Sequence, residues 1–401
     1  MLEEGRESHG LDFKQGSNEK CAFYDLGREL LVLTYVDDVY ISGPKTSVEW
    51  FIRQLNDRFA CKSTSFLTED SPIDFIGMVF NRGVNSLYID MSKYIETMWT
   101  TLNMKEAESG CRTKRPKTPI SAPIVPDSDL TKPEAKWLLQ ALGMIGWLSM
   151  TTRLDLRYSH SESRLSQHLA KPTMAVFEAT VQTVRCAYDT KHLVIEQKYS
   201  QVESDWKCYS DSDHAGNSEL QNKRRSQLSH IIMNGGAPIA WASKASGVQL
   251  YDKGFGEIPR ANPRITDLHA DLSSAAAEIY AAGIACYEVL HMQYISRDCG
   301  IEFPVDTPVP LYIDNTTAIA FASNTIQRSK LRHIDCSMEW VLTLRDARVV
   351  KPTYVHTDSQ LADLGTKILS TDKFQSWRDQ LMCVRRPSQD DMQVYDSDDH
   401  I

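Results

Sequence analysis

The residues best suited to chemistry in this chain are acidic, and they fall into two sets. The first is the adjacent pair Asp37 and Asp38, set between two apolar runs in LLVLTYVDDVYISG (30–43). Neighbouring carboxylates flanked by Val, Leu, Tyr and Ile repel each other and are costly to desolvate unless a cation sits on them. A hard divalent ion meets that need, because it takes carboxylate oxygens and substrate phosphates together. The alternative is an acidic hairpin turn with both side chains in water. The second set is Asp211 in CYSDSDHAG, Glu278 in SSAAAEIYAA, Asp314 at the end of PLYID, and Asp363 in SQLADLGTK. Two strand-end Asp residues and two helix-borne acids can meet at one edge of an α/β sheet, where ligand sites usually lie. Like charges gathered there again require metal. Each has an ordinary alternative in a chain with 53 acidic residues. Asp211 and Asp213 suit turns, Asp314 suits a helix cap, Glu278 an exposed helix face, and Asp363 a helix N-terminus. Their order and element types make the joint case.

The elements that must position these groups follow from periodicity. Cys21 to Ser42 reads as paired strands, and Ser47 to Phe59 as an amphipathic helix with Val48, Phe51, Ile52, Leu55 and Phe59 on one face. Strands are predicted at Ile73 to Phe80 and Ser86 to Ile89 around the turn Asn81-Arg82-Gly83, then a helix over Met91 to Leu102. Cys111 to Ser128 is rich in Pro, Lys and Arg and reads as a linker. Residues 133 to 192 read as three helices, the third opened by Pro172. From Trp206 the pattern turns to strands (KCYSD, SHIIM, PIAWASK), the last two joined by the hairpin signal Asn234-Gly235-Gly236. A long Ala-rich helix follows over Leu272 to Ser296, then a strand at Pro310 to Ile313 and a helix. Beyond these come a helix over Asp335 to Arg345, a strand at Val349 to Val355, and a last helix from Ser359. Strands followed by helix–strand alternation indicate an α/β (α+β) fold.

Composition sets the outer bounds. At 401 residues the chain is long enough for two or three domains. No apolar stretch reaches membrane-spanning length, and the start MLEEGRESHG is polar, so neither a membrane span nor a secretory signal is expected. Nine cysteines without a CxxC pair suggest reduced thiols inside a cell, in cytoplasm or nucleus, rather than disulfides or a zinc site. Any metal must then rest on carboxylates. The net charge of −9 counts against a dedicated nucleic-acid binder. It is unevenly spread, however: Ser388 to Ile401 carries five Asp and no Lys or Arg, an acidic tail expected to be disordered. Lys105 to Lys117 and Gln327 to Lys351 are locally basic.

The strings around both acidic sets resemble those of copia-type retrotransposon Pol polyproteins. Tyr35-Val36-Asp37-Asp38 is similar to the reverse-transcriptase YxDD hairpin, and D–E–D–D on strand, helix, strand and helix resembles ribonuclease H. Tyr209 to Gly216 matches YxDxDxAG, Arg224-Arg225-Ser226 an RRS string, and Gly235 to Lys244 a GG..I.W.SK hairpin. SSAAAE stands for ST.EAE, Asp314 to Ile319 for DN..AI, Arg332 to Asp335 for KHID, and Gln360 to Lys367 for Q.AD..TK. Upstream, DFIGMVF, MSKYIETM, TTRLD and a helix ending in RCAYDTKHLVI also match, so the resemblance runs over roughly residues 9 to 384. It implies a partial reverse-transcriptase palm (1–110), a basic linker and helical connection (111–204), a ribonuclease H-like domain (205–384) and the acidic tail (385–401).

By that resemblance Asp211, Glu278, Asp314 and Asp363 bind two Mg²⁺ (or Mn²⁺) ions about 3.5–4 Å apart, with Asp211 bridging, to cleave RNA in RNA–DNA hybrids. His333 and His356 are candidates for proton transfer, and Arg225, Ser226 and Lys244 for phosphate contacts. Asp37 and Asp38 are the candidate polymerase ligands. Only 34 residues precede Tyr35, and neither Asp12 nor Asp25 lies in the family's context for a third polymerase Asp, so that site reads as incomplete unless the N-terminal part of the polyprotein supplies it. His214 replaces a family Trp, Leu154 a Pro, and residues 246–272 are longer than the family's usual connection. The other reading is a decayed or repurposed fragment that binds nucleic acid or a protein partner without catalysis.

Overall fold

The computed structural model describes residues 12–59, 61, 64–109, 119, 124–125, 127–157, 165–199, 205–214, 226–246, 274–301, 303, 307–323 and 335–384. The class is α/β, with three sheets. Strands β1 (Lys14–Gln15), β2 (Ala22–Asp25), β3 (Leu30–Tyr35) and β4 (Asp38–Ser42) form an antiparallel meander. Helix α1 (Lys45–Asn56) follows and inserts Phe51 against Phe23, Leu30 and Val32. It starts two residues earlier and stops three earlier than periodicity predicts, because Pro44 suits a helix start.

The stretch Ile73 to Phe80 is not one strand. It folds back on itself as β5 (Ile73–Phe75) and β6 (Met78–Arg82), with β7 (Ser86–Asp90) beyond. The turn residues Ile76 and Gly77 both have positive φ, 57° and 76°, the backbone a two-residue hairpin requires. An Ile in that conformation gives no sequence signal, and only Gly77 hints at the turn. Helices α2 (Ser92–Thr101), α3 (Met104–Ser109), α4 (Lys132–Thr151) and α5 (Met174–Asp189) pack around Met98, Ile145, Leu148, Val181 and Val184. Where a middle helix of 133–192 is predicted, the described residues hold two short 3-10 turns, Leu154–Leu156 and Ser166–Ala170. Thr131 and Glu134 form a capping box that opens α4. Thr173, not Pro172, caps α5.

The segment after α5 is β8 (Leu193–Lys198) rather than the end of a helix. Its run of Leu193, Val194 and Ile195 is buried on both faces, so no polar alternation marks it as a strand. β8 pairs with β7 on one side and with β14 (Cys383–Val384) on the other, giving the order β14-β8-β7-β6-β5. That sheet draws strands from the first, middle and last thirds of the described chain.

The sheet that carries the second acidic set has the order β11-β10-β9-β12-β13, from β9 (Lys207–Asp213), β10 (Gln227–Asn234), β11 (Ala237–Ala245), β12 (Val309–Ile313) and β13 (Val350–Tyr354). The first three strands are antiparallel, while β9, β12 and β13 are parallel. Gly235 and Gly236, with φ of 58° and 84°, make the two-residue β10–β11 turn that the sequence signals. Helix α6 (Ser274–Asp298) lies on this sheet through Ala276, Ala282, Ala285, Cys286 and Val289. Small side chains let its backbone approach the strands closely. α7 (Thr316–Ala322) and α8 (Asp335–Asp346) complete that layer. The helix predicted from Ser359 is two 3-10 turns, Thr357–Ser359 and Leu361–Gly365, followed by α9 (Thr371–Leu381). Gly365 breaks the run, and Ser370 caps the new helix.

The C-terminus of α6 ties the two halves together. The Asp298 carboxylate accepts from the backbone N–H of Ser17 at 3.0 Å, Asn18 at 2.6 Å and Glu19 at 2.8 Å. Those three hydrogen bonds hold its carboxyl below the usual Asp range against the opposing effect of burial. Replacing Asp298 with Ala strands three amides and is expected to cost about 1–3 kcal/mol in a urea melt. A loss under a few tenths would show the contact is idle.

Candidate metal centre

β9 and β12 run parallel and paired, so their C-terminal ends deliver Asp211 and Asp314 to the same edge of the sheet. Glu278, one turn into α6, reaches that edge because the surrounding alanines hold the helix close to β9. One carboxylate oxygen from each of Asp211, Glu278 and Asp314 lies within 4.8 Å of the other two. Asp211 and Glu278 are 1% and 3% exposed, Asp314 half-buried. Asp314 does not cap α7. Asn315 does, accepting from the Ala318 N–H at 3.0 Å, which leaves the Asp314 carboxylate for the edge.

The oxygens are held by neighbouring donors. Glu278 Oε1 accepts from the Ser212 N–H at 3.3 Å, Asp314 Oδ2 from the Thr357 hydroxyl at 2.9 Å, and Asp211 Oδ2 from the Thr366 hydroxyl. Glu278 Oε2 is different: it is buried and has no hydrogen-bond partner. A buried carboxylate oxygen without a donor is costly. Burial, then the charges of Asp211 and Asp314, push the Glu278 carboxyl up to about 9. Asp211 rises to about 7, first through burial and next through Asp363. Bare charge is therefore in excess at this edge. The all-oxygen donor set, with one oxygen lacking any partner, fits a hard divalent cation.

The fourth acid, Asp363, sits on the 3-10 turn Leu361–Gly365, fully buried. That turn is pinned to the sheet at both ends. Gln360 Nε2 donates to the Ser210 carbonyl at 2.9 Å, and the Gly365 carbonyl accepts from the Ser243 hydroxyl. Gly365 lies so close to β10 that a Cβ there would collide with the Ser229 side chain. Asp363 is placed beside Asp211 but outside the three-oxygen group. Its Oδ1 accepts from Lys367 Nζ at 2.6 Å, and the same ammonium lies 3.4 Å from Asp211 Oδ1. Burial works to lower the Lys367 pKa but is outweighed by Asp211 and Asp363, so the net shift is upward. Lys367, Thr366 and Gln360 stand in the string Gln360 to Lys367, and the i, i+4 spacing of Asp363 and Lys367 was the available signal for their pairing.

The other candidates lie elsewhere. Asp37 and Asp38 are exposed at the tip of the β3–β4 hairpin, where Tyr35 pairs with Asp38 and Val36 has φ of 56°. Among the described residues no third carboxylate joins them. Asp25 is engaged locally by Arg28, at 2.9 Å. Ser226 is 1% exposed, so its side chain packs rather than faces a ligand, whereas Lys244 is exposed on β11. His356 is exposed, and its Nδ1 accepts from the Asp358 N–H at 3.3 Å. Arg225 and His333 lie outside the described residues, as do the basic stretch 110–118, the segment 247–273 and the tail beyond 384. The functional reading passed over Arg153 and Asp155 of TTRLD, which form a fully buried bidentate ion pair.

No protein-family model matches the chain. Curated proteins do, and three of them are retrotransposon polyproteins. The retrovirus-related Pol polyprotein from transposon RE1 of Arabidopsis thaliana is 25% identical over 362 residues, covering 89% of this chain and 22% of that protein. The corresponding polyprotein from transposon RE2 of Arabidopsis thaliana is 25% identical over 368 residues, 90% of this chain and 22% of the relative. The one from transposon TNT 1-94 of Nicotiana tabacum is 22% identical over 374 residues, 89% of this chain and 25% of the relative. This α/β chain is thus related to retrotransposon Pol polyproteins along nearly its whole length. The relatives are of copia type, and the chain spans about a quarter of their length. Among the described residues no helix is long and apolar enough to cross a membrane.

Proposed function

We propose that this edge is the divalent-metal centre of a ribonuclease H-type hydrolase acting on the RNA strand of RNA–DNA hybrids, with Mg²⁺ or Mn²⁺ as cofactor. The observation that carries the reading is that Glu278, whose Oε2 is buried and partnerless, brings a carboxylate oxygen within 4.8 Å of oxygens of Asp211 and Asp314 at the end of a parallel strand pair. The strand–helix–strand order of these acids, with Asp363 on a following turn, and the Pol relatives support it. The same reading assigns residues 1–110 to a partial palm, 111–204 to a connection, 205–384 to the nuclease domain and 385–401 to a tail. Asp37 and Asp38 have no third carboxylate grouped with them among the described residues, so the nuclease edge and not this pair carries the reading.

In this mechanism Asp211, Glu278 and Asp314 would hold the cation, each offering a carboxylate oxygen. A bound divalent ion supplies positive charge that acidifies water and offsets charge developing on phosphate oxygens. The residues around it do the positioning. Thr366, Ser212 and Thr357 each donate one hydrogen bond to a ligand carboxylate, which fixes its orientation. Lys244, exposed on the edge strand β11, adds charge that attracts the nucleic-acid backbone. Selectivity for RNA rests on contacts to 2′-hydroxyls.

Cleavage of a labelled hybrid in Mg²⁺ or Mn²⁺ tests the proposal. The intact chain is expected to cut, and Asp314→Asn to lose at least about a hundredfold, more than the loss of an outer-shell partner costs. Equal cutting by both proteins would place the activity in a contaminant. No cutting by the intact chain would leave the non-catalytic binding fragment as the better reading.

A further inference from the structure

We infer that Lys367 is a built-in substitute for a second metal ion, so that the centre takes one divalent cation and not two. The inference rests on the metal-centre reading above and concerns its stoichiometry. Asp211 is shared between two halves of the site. On one side it meets Glu278 and Asp314, neither of which has an ion-paired lysine or arginine among the described residues. There Glu278 Oε2 has no partner. On the other side it meets Asp363, and the Lys367 ammonium lies between the two carboxylates, 3.4 Å from Asp211 Oδ1 and 2.6 Å from Asp363 Oδ1. Lys373 Nζ adds a second positive charge 3.8 Å from Asp363 Oδ2.

The two halves therefore differ in what they lack. Among the described residues the first has no cation paired with Glu278 or Asp314: Asp211 and Glu278 are buried, Asp314 is half-buried, and Glu278 Oε2 has no donor. The second already has a cation. Asp363 accepts a hydrogen bond from Lys367 on Oδ1 and faces Lys373 at ion-pair distance on Oδ2, and its charge is offset by an ammonium four residues along the chain. A divalent ion bridging Asp211 and Asp363 would have to expel that ammonium, losing a short charge-assisted hydrogen bond in a largely buried setting. It would also meet the displaced positive charge nearby, because the backbone of Lys367 is held by the turn, its N–H donating to the Asp363 carbonyl at 3.1 Å. An ion in the first half meets neither obstacle.

Counting bound Mn²⁺ on the full chain by the loss of the free-ion paramagnetic resonance signal, near neutral pH, tests this. The wild type is expected to bind one ion. Lys367→Gln, which keeps a polar side chain and removes the charge, is expected to bind two. Lys367→Arg, which keeps the charge, is expected to stay at one. Thermal melting of each variant confirms that the protein counted is folded. Two ions on the wild type would overturn the inference while leaving the metal centre standing, and so would a folded Lys367→Gln that still binds one. No ion on the wild type would overturn the metal centre itself, and the inference with it. Should Lys367→Gln fail to fold, the wild-type count decides between one ion and two.

Discussion

Arg153→Met is expected to lower the stability of the fold by about 3–5 kcal/mol, the cost of removing one partner from a buried ion pair. The two side chains are 1% and 0% exposed. Arg153 donates through Nε and Nη2 to the two oxygens of Asp155, both at 2.8 Å. Its remaining donors reach the carbonyls of Ala187 and Thr190 at 3.3 and 3.2 Å and the Thr190 hydroxyl at 2.7 Å. The guanidinium thus joins the turn after α4 to the C-terminal end of α5, where unpaired helix carbonyls favour positive charge. Methionine fills similar space but leaves Asp155 buried and charged. Urea denaturation measures the loss, and a value under 1 kcal/mol would show that water or rearrangement rescues Asp155. The double variant Arg153→Met/Asp155→Leu is expected to recover most of it, since apolar replacement of a whole buried pair is often neutral. Lysine at 153 would not substitute, because one ammonium cannot reproduce the planar fork.

The second large effect is a dependence of stability on pH that divalent ions reverse. Asp211 and Glu278 are pushed above their ordinary ranges, to about 7 and about 9. A group whose pKa is higher in the folded than in the unfolded state supports the fold most fully below its unfolded value. That support is lost as pH rises through the folded value. With a chelator present, stability should therefore decline from about pH 4 to about pH 9, as buried carboxylates are forced to ionise together. Other charged groups crowd the same edge, so the contrast with a variant is the cleaner measure. Glu278→Gln removes one ionising group and is expected to be more stable than wild type at pH 9 by on the order of a few kcal/mol, each tenfold change in proton affinity being worth about 1.4 kcal/mol. Near pH 4 the two should be alike. Saturating Mg²⁺ at pH 8 should stabilise the wild type by about 2–3 kcal/mol, as any ligand does at roughly a hundred times its dissociation constant, and Glu278→Gln much less. A melting temperature indifferent to both pH and Mg²⁺ would contradict the picture of an uncompensated acidic cluster.

Much of the site was legible in the sequence because its acids sit at element boundaries. Asp211 and Asp314 lie at the ends of strand runs, and Glu278 sits within an alanine stretch whose small side chains announce close packing. What could not be read was which oxygen lacks a donor, or that Asn315 and not Asp314 caps α7, because both depend on side-chain rotamers. The role of Lys367 was hidden for the same reason. The hairpin at Gly235-Gly236 was plain from its glycines, while the one at Ile76-Gly77 was masked by an isoleucine in a backbone conformation that glycine or asparagine normally takes. β8 carries no strand signal of its own, because its burial erases the alternation that identifies strands and its partners lie far off in sequence. Asp37 and Asp38 stand exposed at a hairpin tip, the alternative that their sequence left open.

The sheet that contains β8 has a consequence for how the molecule is made. Val194 lies opposite Cys383, and Ile195 opposite Ile89, so this sheet closes only over very long loops. Loop closure of that kind slows folding far more than it weakens the finished structure. During synthesis Leu193–Lys198 leaves the ribosome with one flank already occupied by Ser86–Ile89 and the other bare until the last described strand emerges. For that interval it is a sticky template for other chains, and the early part of the protein depends on the late part to shield it.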